Sequence, residues 1–167
     1  MIKNLKQINT GDLNVSYYES GPSDGVPVFL LHGFPYDIHS YLEVAPVLSS
    51  SGCRVIVPYL RGYGKTSFLA KETLRSGQQA ALGNDLLNLM NAMKIDKAIL
   101  AGYDWGGRAA CVVAALHPER CRGLISCNGY NIQDTKNSSK PSNPNIEQRL
   151  WYQYFFHSER GRLDLIN

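Results

Sequence analysis

The chain has 167 residues, 44% of them hydrophobic and 19% charged, a composition that suits one folded domain and excludes a disordered chain. Seventeen Lys and Arg against fourteen Asp and Glu give a net charge of +3, and the basic residues form no run, which argues against nucleic acid or anionic lipid as the partner. The longest clearly apolar stretch, Val26 to Leu31, is too short to span a bilayer, so no membrane partner is expected.

Met1 to Gly11 shows neither an apolar block nor a small-residue cleavage site, so no signal peptide and a cytoplasmic location are expected. Residues 4–19 read as two short strands around a turn at Gly11-Asp12. Val26 to Leu31 is a continuous apolar run ending at His32-Gly33, the pattern of a strand buried on both faces. Ile38, Leu42, Ala45 and Leu48 have helical spacing across Asp37–Ser50, with Gly52 as a stop. Cys53 to Val57 is a second buried strand closed by Pro58, and Tyr59–Gly77 reads as a long loop. Leu82, Leu86, Leu89, Met90 and Met93 form one apolar stripe on a helix over Gln78–Met93. Lys97–Gly102 is a strand, Trp105–Leu116 a small-residue helix stopped by His117-Pro118, and Arg122–Cys127 a last strand. A polar stretch at 128–146 reads as a linker, and Glu147–Phe156 as an aromatic helix. The four cysteines have no CxxC spacing and read as reduced, buried thiols.

Strand and helix alternate from residue 26 onward, which predicts an α/β fold with a mostly parallel, doubly wound sheet. Ligands in such sheets sit beyond the carboxyl ends of the strands, so chemistry is sought near His32, Tyr59, Tyr103 and Asn128. The sharpest feature there is Gly102-Tyr103-Asp104-Trp105-Gly106-Gly107. A nucleophile elbow needs small residues two positions before and after its apex, and Gly102 and Gly106 hold those positions around Asp104. An aspartate at the apex is ionised at neutral pH and can attack carbon without a base removing its proton, and the following helix N-terminus favours negative charge there. The alternative for Asp104 is a simple helix N-cap. His32-Gly33-Phe34-Pro35 follows the central strand, and its glycine permits a sharp turn into the site. In this architecture the oxyanion donors are the amide after the apex, Trp105, and one from the loop after the third strand, Phe34. The alternative is a strand-end turn with a locally packed histidine.

HGFP, then Arg61-Gly62-Tyr63-Gly64 after a strand ending in proline, then GYDWGG, resembles the α/β-hydrolase superfamily over about residues 13–130. Within it the apex aspartate is similar to the epoxide hydrolase and haloalkane and haloacetate dehalogenase branch. Phe34 stands where haloalkane dehalogenases usually have a polar residue, and Trp105 where haloacetate dehalogenases often have arginine, so the motifs are most similar to those of epoxide hydrolases. The resemblance implies a cis Phe34–Pro35 bond. It also implies a helical cap starting after the sixth strand, so residues 1–130 read as the N-terminal part of the core and 131–167 as linker and start of the cap. In that cap a tyrosine protonates the epoxide oxygen; Tyr152 matches by motif, with Tyr154 as the fallback. Packing of an aromatic helix face is the alternative for both.

The implied activity is hydrolysis of a small apolar epoxide to a vicinal diol through an alkyl ester on Asp104, with no cofactor and no metal. A haloacid or haloalkane dehalogenase, with the Trp105 indole on the leaving halide, is the second reading. The family's base is a histidine, oriented by a carboxylate, on later strands. The histidines after Asp104 are His117 and His157, neither after a strand, and Asn128 stands where some relatives carry the acid. A catalytically incomplete N-terminal fragment, or a pseudoenzyme lacking the base, is therefore the third reading, with self-association through an exposed sheet edge. Two other patterns fail: Gly64-Lys65-Thr66 lacks the glycine a phosphate loop needs at Tyr59, and His32, Asp37 and His39 lack a fourth metal ligand.

Overall fold

The computed structural model describes residues 4–128, 136 and 140–165. Its chain divides into two compact units, 1–131 and 132–167. The first is built on a sheet whose order is β1 (Lys6–Asn9), β2 (Leu13–Ser20), β4 (Cys53–Pro58), β3 (Val26–Leu31), β6 (Ala98–Tyr103), β7 (Cys121–Cys127). β1 and β2 are antiparallel, β2 meets β4 antiparallel, and β4, β3, β6 and β7 run parallel. The parallel strands are linked through α1 (Val44–Ser50), α2 (Gln79–Ala92) and α3 (Asp104–Leu116). The alternation predicted an α/β sheet of this kind, and the crossovers reverse direction at β3, as doubly wound sheets do.

The central strands are apolar on both faces because both faces are covered. Phe29, Leu31, Ile56 and Leu100 pack with the α2 stripe and with Ala109, Ala110 and Val113 of α3 in one core cluster. Val28, Leu30, Val55, Val57 and Ala101 pack with Ile38, Tyr41 and Ala45 in the other. Gly83 of α2 lets α2 and α3 close up: a Cβ there would sit 2.4 Å from Val112 Cγ1 of α3.

Four expectations change. The helix over 37–50 is a 3-10 turn, Ile38–Tyr41, followed by α1 from Val44, and Leu42 is exposed. Asp37 caps the N-terminus of that turn, its Oδ1 accepting from the His39 amide. The loop after β4 contributes a two-residue strand, β5 (Ser67–Phe68), which pairs with β2. The cysteines are free, but Cys53, Cys111 and Cys121 are only half-buried and Cys127 is exposed; Cys121 and Cys127 lie on β7, which forms the end of the described sheet and buries little. The helix over 147–156 is two short ones, α4 (Pro144–Arg149) and α5 (Trp151–Phe156), interrupted at Leu150. With α6 (Glu159–Asp164) they are the helices among the described residues of the second unit. Of the linker expected over 128–146, residues 129–135 and 137–139 lie outside the described residues, and 144–146 already belong to α4, which Asn143 caps.

Candidate active site

β3 and β6 are neighbours with Leu31 opposite Gly102, so their carboxyl ends bring His32–Pro35 and Asp104 side by side. Tyr103 is extended, with φ −128°, and the chain then turns sharply into α3. Asp104 takes φ +49°, a left-handed conformation rare for a residue with a Cβ. The turn is possible because the flanking positions are glycines: a Cβ on Gly106 would lie 2.1 Å from the Leu31 carbonyl oxygen, and one on Gly102 2.5 Å from the Gly106 carbonyl carbon. Gly33 closes the third side, where a Cβ would lie 2.4 Å from the Asp104 Cβ.

The N-cap position of α3 is Tyr103, which makes no side-chain cap bond, and Asp104 is the helix's first residue. The Phe34 amide donates to its Oδ1 at 3.0 Å, across seventy positions of sequence. The Phe34–Pro35 bond is cis. Trp105, one residue after the apex, packs against the first core cluster, and the Arg108 guanidinium lies 4.4 Å over its ring.

His32 is completely buried. Its Nε2 accepts the Leu60 amide at 3.1 Å, and its ring meets Tyr63 edge-on at 4.7 Å. Burial pushes the imidazole pKa down, against weaker upward effects of the Gly33 backbone and Asp37. Asp37 accepts from the His39 amide and ring, each at 2.9 Å. His32 and His39 are thus committed to different partners.

The structure gives partners to residues whose roles motif reading left open. Arg61 forms a two-pronged pair with Asp85 of α2, at 2.6 and 2.7 Å, and its third nitrogen donates to the Ser76 carbonyl at 2.8 Å. This clamps the loop that presents Leu60 to His32. Burial, then the negative charge of Asp104, pushes the Tyr63 phenol up to about 12. The Tyr41 hydroxyl donates to the Leu31 carbonyl at 2.8 Å, and burial raises its pKa as well. Tyr103 and Ser40 share a hydrogen bond at 2.7 Å. Arg61 stands in the RGYG motif, whereas Asp85 carries no local signal of its pairing.

In the second unit, the Tyr154 hydroxyl donates to Glu147 Oε2 at 2.6 Å. The Tyr152 ring lies on α5, 6.4 Å from that of Phe156. The two later histidines follow α3 and α5 respectively: His117 caps α3 at the end opposite Asp104, and His157 caps α5.

A strand-end elbow with a glycine on each side, an amide from a neighbouring strand's loop on its carboxylate, and a mostly parallel sheet beneath define the architecture. The alpha/beta hydrolase fold family matches residues 26–164. The chain belongs to that family. Among curated relatives, Epoxide hydrolase B of Mycobacterium tuberculosis (strain H37Rv) is 31% identical over 86% of this chain and 43% of its own length. The haloalkane dehalogenase of Psychrobacter cryohalolentis is 33% identical over 65% of this chain and 35% of its own. A Klebsiella pneumoniae structure, provisionally named an epoxide hydrolase, superposes with a TM-score of 0.90 at 52% identity, over 94% of this chain and 52% of that one. The chain thus spans about half the length of these relatives, or less. Among the described residues no helix is long and apolar enough to cross a membrane, and no group of three His, Cys, Asp or Glu is placed to hold a metal.

Proposed function

We propose that Asp104 is the nucleophile of an epoxide-opening hydrolase. The observation that carries this reading is the hydrogen bond from the Phe34 amide to one oxygen of a carboxylate held at φ +49°. Oδ1 is held by the amide, so Oδ2 is the attacking oxygen. It forms a bond to an epoxide carbon, the C–O bond of the ring breaks, and the alkoxide takes a proton from a cap phenol. Tyr152 is the acid in this reading, because Tyr154 already donates its proton to Glu147. Oδ1 then becomes the ester carbonyl oxygen, still on the Phe34 amide. When water attacks the ester carbon, the developing oxyanion is met by the Phe34 amide and, in this reading, that of Trp105. Water needs a general base. His117 is not that base: α3 spans 13 residues, which at 1.5 Å per residue puts its far end roughly 20 Å from Asp104. The substrate is a small apolar epoxide, and no step calls for a metal or cofactor.

The test is the intact mass of the chain after incubation with styrene oxide. One adduct on the peptide carrying Asp104, absent from Asp104→Asn under brief exposure, supports the reading. Equal labelling of the variant refutes it, and an unmodified chain that still binds the epoxide would favour a non-catalytic binder. The likeness to a haloalkane dehalogenase sustains a second reading, in which Asp104 displaces a halide and halide release replaces diol formation.

A further inference from the structure

His32 does not touch Asp104's carboxylate in any described bond, yet the chain builds an elaborate seat for it. The ring is completely buried, between the end of β3 and the loop after β4. Tyr63 meets it edge-on at 4.7 Å and Tyr59 at 6.3 Å. The Leu60 amide donates to Nε2 at 3.1 Å, so Nε2 carries a lone pair and the ring proton is on Nδ1. Nδ1 faces the Gly33 carbonyl at 3.5 Å, where only a donor is tolerated. The next residue, Gly33, abuts the Asp104 Cβ, and the one after it supplies the amide on Oδ1. A single ring thus joins the RGYG loop, itself clamped by Arg61 and Asp85, to the turn that aims the Phe34 amide.

We propose that His32, as the neutral Nδ1–H tautomer, is the positioning residue for the Phe34 amide. A proton on Nε2 would replace an acceptor with a second donor facing the Leu60 N–H. That contact would then separate, and the turn carrying Phe34 would lose its tie to the β4 loop. The ionisable groups around the ring are Asp37, Tyr59 and Tyr63, with Asp104 beyond Gly33. Of these, Asp37 favours the imidazolium, while the burial of the ring opposes it more strongly. Folding holds the ring neutral, so its contribution is complete above the ordinary histidine value of about 6.5 and is lost as the pH falls toward the folded-state value. The acid limb of any chemistry at Asp104 then belongs partly to His32. This inference rests on the proposed role of the Phe34 amide, but its geometry is measured without turnover.

The test uses NMR on the isotope-labelled 167-residue chain. At pH 7.5 the His32 ring is expected to carry its proton on Nδ1; a proton on Nε2 overturns the proposal. Amide hydrogen exchange at the same pH is then compared in wild type, His32→Gln and His32→Phe. Gln keeps an acceptor that does not titrate, and Phe has none. The Leu60 and Phe34 amides are expected to exchange about tenfold faster in the Phe variant, the loss of one buried hydrogen bond, and to return toward wild type with Gln. Unchanged Phe34 exchange in the Phe variant overturns the proposal. On acidification, the Phe34 amide should move with the His32 midpoint in wild type and in Asp104→Asn, and not in His32→Gln. A Phe34 shift that survives in His32→Gln would instead be the response to Asp104 and would overturn the proposal. Absence of an epoxide adduct would sink the functional reading and leave these signals unchanged.

Discussion

Replacing Arg61 with alanine should cost this protein more than any surface ion pair would. The Arg61 and Asp85 side chains are 10% and 13% exposed, and Nε and Nη2 each reach one carboxylate oxygen. Burial raises the Asp85 pKa even with Arg61 beside it, so the carboxylate is costly to keep charged there. Such a pair contributes little relative to two apolar residues, but removing one partner strands the other and costs about 3–5 kcal/mol. Taking about 3 kcal/mol, because both groups keep some solvent, the melting temperature should fall by about 6–12 °C. Thermal unfolding followed by circular dichroism measures it. The deficit relative to wild type should shrink at acid pH, because a protonated Asp85 needs no cation, and Arg61→Ala with Asp85→Asn should recover most of the loss. A loss below about 1 kcal/mol, or a deficit that grows on acidification, would refute the reasoning.

Three further substitutions probe the site's supports. Gly106→Ala sets a Cβ 2.1 Å from the Leu31 carbonyl oxygen, so the elbow must open; a loss of at least ~3 kcal/mol in urea unfolding and no epoxide adduct on Asp104 are expected. Met90→Ala removes a completely buried side chain from beneath α2 and should cost about 2–5 kcal/mol by the same measurement. Tyr41→Phe removes the hydroxyl on the Leu31 carbonyl, at the root of the turn that carries Phe34, and should cost about 1–2 kcal/mol, read as a lower midpoint with an unchanged slope.

The sequence by itself determined the local pieces. Val26–Leu31 is a strand to the residue because six apolar positions bounded by glycine have few other uses, and the α2 stripe names its own buried face. The apex was legible because two glycines flank Asp104 at the spacing an elbow requires. Tertiary structure decided what local pattern cannot carry. Strand order is one case: β4 inserts between β2 and β3, and no residue in β4 announces that neighbour. The helix over 37–50 is another, because its spacing is helical throughout, yet Asp37 starts a short 3-10 turn over Ile38–Tyr41 and α1 begins only at Val44. β7 reads as a strand but buries little, since burial depends on neighbours on both sides and the described sheet supplies one. The contacts that complete the site, Leu60 on His32, Asp85 on Arg61 and the Phe34 amide on Asp104, join residues 24 to 70 positions apart. Periodicity is a local property of the chain, whereas these partners are chosen by which loops the sheet brings to one edge, and that choice exists only once the fold is closed.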